Sequence, residues 1–207
     1  MISLFIDTSL ENVSISTIKD GHILAVIQKC IPNMHSVYAT SFVKQVLDDS
    51  KIDANMVDKI MVVTGPGSFT GLRIGVTIAK TYGYLIKKEI TPISSLKMLA
   101  ISSEHKGVIM SIIPANKSSY YVGIYDSEYN LLIDEMNVKD VDVIKLIEKY
   151  NPYIVGVNTS IIGKYKINKQ ELDIEKIVKY YMDKETVNYF KLVPDYKKLP
   201  QALENIK

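Results

Sequence analysis

The chain has 207 residues, 25 Lys and Arg against 23 Asp and Glu, and a formal net charge of +2, a length that suits one large domain or two small ones. With 47% apolar and 23% charged residues its composition is that of a folded domain, which excludes bulk disorder, and the near balance of charge excludes nucleic-acid binding by charge alone. The single cysteine, Cys30, excludes a disulfide-stapled scaffold, and no apolar run approaches the roughly 20 residues that span a bilayer.

The start, Met1 to Asp7, carries no basic segment and reaches a carboxylate early, so no signal peptide is read there and a cytoplasmic protein is expected. Residues 3–6, 12–18 and 23–31 read as strands, and Asp20-Gly21 between two β-rich runs signals a hairpin. Pro32-Asn33 breaks the third strand; residues 35–50 then carry Ala39, Phe42, Val43, Val46 and Leu47 on one face at helical spacing. Residues 59–64 form a continuous apolar run of the kind buried in a parallel sheet. A glycine-rich turn, a helix over 72–88, a short strand over 90–92 and a helix over 94–102 follow. Beyond them, residues 108–113, 120–126 and 131–138 read as strands, 141–150 as a helix and 153–157 as a strand. An amphipathic helix is expected over 174–189, with a loosely ordered tail after Pro194. The order suggests two related α/β halves, 1–104 and 105–207, without a fixed sequence repeat.

The densest segment is Gly65-Pro66-Gly67-Ser68-Phe69-Thr70-Gly71-Leu72-Arg73-Ile74-Gly75, between a buried strand and a helix, where backbone N–H groups can meet an anion. It is not a Walker A loop, because Leu72-Arg73 stands where Lys-Ser/Thr is required, and its glycines are one residue too long for a dinucleotide fingerprint. Loop chemistry alone favours a tight strand-to-helix turn over phosphate binding. Arg73 is the only arginine among the 25 basic residues, so it marks a place for a planar, bidentate donor. Gly71, Gly75, Ala79 and Gly83 recur every fourth residue and line one helix face. Glycine inside a helix costs about 1 kcal/mol against alanine, so close approach of another backbone is expected, either a sheet of the same domain or a partner's helix. Asp7-Thr8-Ser9 after the first strand could orient a metal–phosphate complex, but an Asx or Ser/Thr turn is the stronger reading. His22, His35 and His105 have no companion at metal-ligand spacing, no Ser stands in a GxSxG elbow, and Cys30 reads as core. The fourteen tyrosines read as half-buried fillers rather than base-stacking groups.

The strand and the GPGSFTGLRIG segment over 59–75 resemble the signature of the TsaB (YeaZ) family of bacterial tRNA-modification proteins. The resemblance extends to Phe5-Ile6-Asp7-Thr8-Ser9, to His35-Ser36 opening the first helix and to Ser94-Ser95-Leu96 opening a later one. It implies an ASKHA (actin-like) α/β fold of two ribonuclease-H-like halves, with mixed sheets flanked by helices. It also implies a non-catalytic partner of TsaD, which transfers threonylcarbamoyl to the adenosine beside the anticodon. A homodimer, contact with TsaE, only indirect contact with tRNA, no metal, and any ATP at a shared interface of the complex belong to the same expectation. Carried onto this sequence, the two helices supply the interface, through His35, Ala39, Phe42, Val46, Leu72, Gly75, Val76, Ala79 and Gly83. On that reading, replacing Gly75 by leucine abolishes TsaD binding and leaves the fold intact. Arg73 would anchor the Asp7–Ser9 turn or carbonyls of its own loop. Asp7, Thr8, Ser9, Gly65, Gly67, Ser68, Thr70, Gly71 and Arg73 form the motif loop that would face a nucleotide. The second half departs from the family: Pro114-Ala115-Asn116 stands for Asp-Ala-Arg, and Lys198 for the arginine of a Pro-x-Tyr-x-Arg tail. An ATP-binding phosphotransferase or ATPase of the same fold is the competing reading, and Pro114 in place of the family's aspartate argues against it. A peptidase or chaperone-like protein finds no support in the sequence.

Overall fold

Why the first strands pair as they do follows from the turn between them. In the computed structural model, which describes residues 1–32, 34–116 and 119–197, Asp20 and Gly21 both take positive φ, 52° and 82°. That is the backbone a two-residue hairpin needs. It joins β2 (Asn12–Lys19) to β3 (His22–Cys30), and β2 pairs antiparallel with β1 (Ile2–Asp7). The chain then forms α1 (His35–Asp49), β4 (Lys59–Gly65), α2 (Phe69–Ile86) and β5 (Ile90–Ser94). The sheet order is β3-β2-β1-β4-β5, with β4 parallel to both β1 and β5.

One face of this sheet, through Leu4, Ile6, Val13, Ile15, Ile60 and Val62, packs on Ala39, Phe42, Val43 and Val46 of α1 and Val76, Ile78 and Ala79 of α2. The other face is equally buried but richer in hydroxyls, with Ser3, Phe5 and Asp7 of β1 beside Ser14 and Ser16 of β2. Burial on both faces explains the unbroken apolar run of β4.

The second set of elements is α3 (Ser95–Ser102), β6 (Ile109–Asn116), β7 (Ser119–Tyr125), β8 (Leu131–Lys139), α4 (Asp140–Tyr150), β9 (Tyr153–Gly156), β10 (Ser160–Ile162) and β11 (Tyr165–Lys169). Its sheet runs β10-β11-β9-β6-β7-β8, with β6 and β7, then β7 and β8, antiparallel, and β9 parallel to β6 and β11. Starting from β6, the strands repeat the 3-2-1-4-5 order of the first sheet, so the chain contains two ribonuclease-H-like units and has the ASKHA fold that the motif resemblance implies.

The compact units are Met1–Ser94 with Glu175–Asp195, and Ser95–Ile174 rejoined by the chain from Tyr196. The division thus falls before α3 and not near residue 104, and the final helix, α5 (Ile174–Tyr181), returns to the first unit. Three further differences have local causes. The second helix begins at Phe69 instead of residue 72, because the Ser68 side chain accepts from the Gly71 N–H and caps it. The last helix stops at Tyr181 instead of 189. There the Lys59 ammonium takes up the carbonyls of Tyr181, Met182 and Lys184 at 3.2, 2.5 and 3.5 Å, and Val187 goes on to bridge Ile90 of β5. Cys30 is exposed and not core, since it ends an edge strand. The β10–β11 hairpin has no counterpart in the sequence reading. Asn33, Lys198 and the tail beyond it lie outside the described residues.

Candidate functional site

β1 ends in a carboxylate that closes its own turn. Asp7 Oδ1 accepts from the Ser9 N–H at 2.8 Å and from Ser9 Oγ at 2.6 Å, an Asx turn that aims the Thr8 and Ser9 carbonyls away from the strand. Across the sheet, β4 delivers the glycine-rich loop to the same place. The Ser68 N–H donates to the Ser9 carbonyl at 2.7 Å, and Thr8 Oγ1 donates to the Gly71 carbonyl at 2.7 Å. The two segments that stand out in the sequence therefore form one clasp, 56 or more residues apart in the chain.

The glycines are what let the segments close. A Cβ at Gly67 would meet the Ser9 carbonyl oxygen, one at Gly71 the Thr8 carbonyl oxygen, and one at Gly75 the Thr8 hydroxyl, each under the 3.0 Å that real Cβ atoms keep. Gly65 has φ +133°, and a Cβ there would sit 2.6 Å from the carbonyl oxygen of Asp195, whose N–H donates to Thr64 O at 2.8 Å. Asp195 belongs to the Pro-x-Tyr tail segment that the sequence singles out, but only the returning chain shows that it joins the site. At the N-terminus of α2 two N–H groups are already engaged, that of Ser68 by the Ser9 carbonyl and that of Gly71 by Ser68 Oγ.

Asp7 is fully buried, and burial raises its pKa; the two hydrogen bonds from Ser9 and the charge of His35 oppose that rise. His35 opens α1 and its Nε2 lies 2.8 Å from the Leu10 carbonyl, which ties the helix start to the β1–β2 turn. Ser68, Thr70 and Arg73 face outward, and the Arg73 guanidinium lies 3.9 Å from the centre of the Phe69 ring. The Asp7–Ser9 turn is held by Ser68, Gly71 and its own side chains.

The residues expected to touch a partner divide differently. Ala39, Phe42, Val46, Leu72, Gly75, Val76, Ala79 and Gly83 are all buried within the chain's own first unit. The small-residue stripe faces the chain's own strands and Thr8, so that of the two readings of the stripe the intramolecular sheet is the one found. The expectation that Gly75→Leu spares the fold is corrected accordingly, because the Thr8 side chain already fills that space. The outward surface of α1 and α2 is carried instead by Val37, Tyr38, Thr77, Thr81, Tyr84 and Leu85. Among the described residues no helix is long and apolar enough to cross a membrane.

The family model described as TsaD, tRNA N6-adenosine threonylcarbamoyltransferase, matches residues 28–189. The tRNA threonylcarbamoyladenosine biosynthesis protein TsaB of Bacillus subtilis is 30% identical over 98% of this chain and 96% of its own length. Its namesake in Buchnera aphidicola is 26% identical over 65% of this chain and 62% of its own length. The solved structure of YeaZ from Pseudomonas aeruginosa superposes with a TM-score of 0.76 at 19% identity, over 94% of this chain and 99% of that one, a likeness of fold. With a sequence likeness that runs almost end to end, and a glycine clasp built on the family's signature segment, the chain belongs to the TsaB (YeaZ) family, within the wider group that the TsaD model describes.

Proposed function

We propose that this chain serves the formation of threonylcarbamoyladenosine on tRNA as an accessory subunit, pairing with TsaD through the outward faces of α1 and α2 and pairing with itself when TsaD is absent. The observation that carries the reading is the near full-length likeness to the Bacillus subtilis TsaB. The clasp supports it: the glycine-rich loop, which could have met an anion, is packed here against the chain's own Thr8–Ser9 backbone. What such a clasp can do is fix the start of α2 rigidly against β1, which sets the relative height of α1 and α2 on the surface. Val37 and Tyr38 on α1, and Thr77 and Thr81 on α2, then offer a two-helix face for a partner's helices.

Size-exclusion chromatography with light scattering, on the chain alone and mixed with TsaD of the same organism, tests this. A dimer that converts to a one-to-one heterodimer is expected, and Val37→Asp should prevent the conversion without lowering the melting temperature. Failure of the wild-type chain to associate with TsaD overturns the proposal. Steady ATP turnover by the isolated chain, lost in Asp7→Asn, would replace it with the ATPase reading.

A further inference from the structure

The C-terminal end of α2 carries an aromatic cluster on its surface that neither the clasp nor the core requires. Tyr84 is packed edge-on to Tyr189 with ring centres 5.9 Å apart, and Phe190 lies 6.0 Å from Tyr84 and 4.7 Å from Tyr189. Tyr189 is the anchored member, resting on the first unit's core. The others are open to solvent: Phe190 is 69% exposed and Tyr84 50%. An apolar ring left that open costs solvation without returning core packing.

The segments that carry these rings are rich in lysine. Residues 80–89 and 187–193 hold Lys80, Lys87, Lys88 and Lys191 against the single carboxylate of Glu89, and that carboxylate accepts from the Thr186 hydroxyl. The net +3 of these two segments compares with +2 for the whole chain, and Asp183, Glu185 and Asp195 lie just outside them. The Lys87 ammonium lies 4.0 Å from the centre of the Tyr84 ring. Lys80 reaches the Phe190 and Leu192 carbonyls at 3.4 and 3.0 Å, which holds the aromatic segment against α2.

Exposed rings in a lysine field are the two components of a surface that takes unpaired nucleotides: a π-face for a base, and ammonium groups for the phosphates beside it. We propose that Tyr84 and Phe190, with Lys87 and Lys191, form a stacking site for single-stranded RNA, so that this chain touches an RNA loop directly. Phe190 offers the open ring for a base, and Lys87 and Lys191 meet the flanking phosphates. The inference draws on the family's place in tRNA modification, but not on pairing with TsaD, and the isolated chain is enough to test it.

The probe is a short fluorescein-labelled oligouridylate, compared with an RNA duplex of equal length, followed by fluorescence anisotropy and by ultraviolet crosslinking with peptide mapping. The single strand should bind more tightly than the duplex and crosslink at Tyr84, Tyr189 or Phe190. Phe190→Ala should weaken binding by about fivefold or more, and Phe190→Trp should retain it. Lys87→Gln with Lys191→Gln should lower the salt slope of the binding constant by about 1.4, at about 0.7 per phosphate contact. Each side chain is exposed, so unchanged melting temperatures are the control. Equal affinity of Phe190→Ala and the wild-type chain, or crosslinks confined to other segments, overturns the inference. Phe190→Ala that keeps RNA binding but no longer associates with TsaD would make the patch a protein-docking surface, and overturns it too. RNA binding by a chain that ignores TsaD would refute the proposed pairing and leave this site standing.

Discussion

The clasp makes a prediction in which two glycines on one helix face behave differently. A methyl at Gly71 meets backbone, the Thr8 carbonyl, whereas a methyl at Gly75 meets only the Thr8 hydroxyl. For Gly71→Ala, overpacking against a backbone costs about 3 kcal/mol, at the upper end of the usual range. Displacing the Gly71 carbonyl from Thr8 Oγ1 adds about 1 kcal/mol, and the better helix propensity of alanine returns about 1 kcal/mol. The net loss is about 3 kcal/mol, or about 6–12 °C in melting temperature for a chain of this size. Gly75→Ala should also destabilise, but removing the obstructing hydroxyl relieves it: in a Thr8→Ala background the second methyl should cost at least about 1 kcal/mol less than alone. No such rescue is expected at Gly71, where the obstacle remains after Thr8 is truncated. Urea unfolding of the three single and two double variants measures this, with Thr77→Ala on the exposed face of α2 as a control that stays within about 0.5 kcal/mol. If Gly71→Ala melts within 2 °C of the wild-type chain by the same yardstick of about 2–4 °C per kcal/mol, or if Thr8→Ala rescues both positions equally, the clasp is not the close backbone contact argued above.

Other expectations concern buried and tethered charges. Burial raises the Asp7 pKa above its ordinary 3.8, so the folded state holds a proton that the unfolded state has already released. Stability contributed here falls as pH rises from 3.8 through the folded pKa, and Asp7→Asn, which keeps an acceptor for Ser9, should gain on the wild-type chain as pH rises across that window. A difference in melting temperature that stays flat with pH would refute it. Glu175 shows the opposite sign. The Ile23 N–H donates to its Oε1 at 3.0 Å and lowers its pKa below 4.5. Its stabilisation is therefore complete above 4.5 and is lost as pH falls through the lowered value, so Glu175→Gln should cost stability at neutral pH and progressively less in acid. Lys59→Met leaves the carbonyls at the end of α5 without their ammonium donor and should cost about 1–3 kcal/mol. Hydrogen exchange should then speed up at residues 182–187 before it does in β1, and uniform exchange across both segments would count against the cap.

Much of the first unit is legible because its signals are local. The Asp20-Gly21 turn fixes the hairpin, the apolar run of β4 declares its burial, and the glycine spacing in 65–75 announces close approach. What the glycines approach is not local, so a helix stripe that suits either a sheet or a partner's helix stays ambiguous until Thr8 is seen beneath it. The start of α2 was readable from Ser68, a capping residue three positions before Gly71, and placing the helix at Leu72 overlooks it. The end of α5 was not readable. No proline or glycine follows Tyr181 before residue 189, and the lysine that stops the helix lies 122 residues earlier, in a strand where lysine carries no such message. The β10–β11 hairpin hides for a related reason: Ile162 and Ile167 point into the second core, but lysines and polar residues between them dilute the alternation, and the turn rests on Gly163 at φ +58°.

The two units share one strand order and differ at the place where chemistry would sit. In the first, β4 and β5 are joined by α2, whose N-terminus receives the turn after β1. In the second, the parallel pair β9 and β11 is joined through the short strand β10, and the described residues between them form no helix. Gly156 at the end of β9 is pressed instead against Ile167 and the Ile112 carbonyl, at 2.7 and 3.0 Å from where a Cβ would be. Among the described residues the second unit therefore shows no counterpart of the first-unit clasp, and its strand β6 carries Pro114, which is exposed and brings no carboxylate. The first unit keeps its polar turn and packs it against its own glycine-rich loop. The duplicated strand order persists because each sheet must still bury its own core.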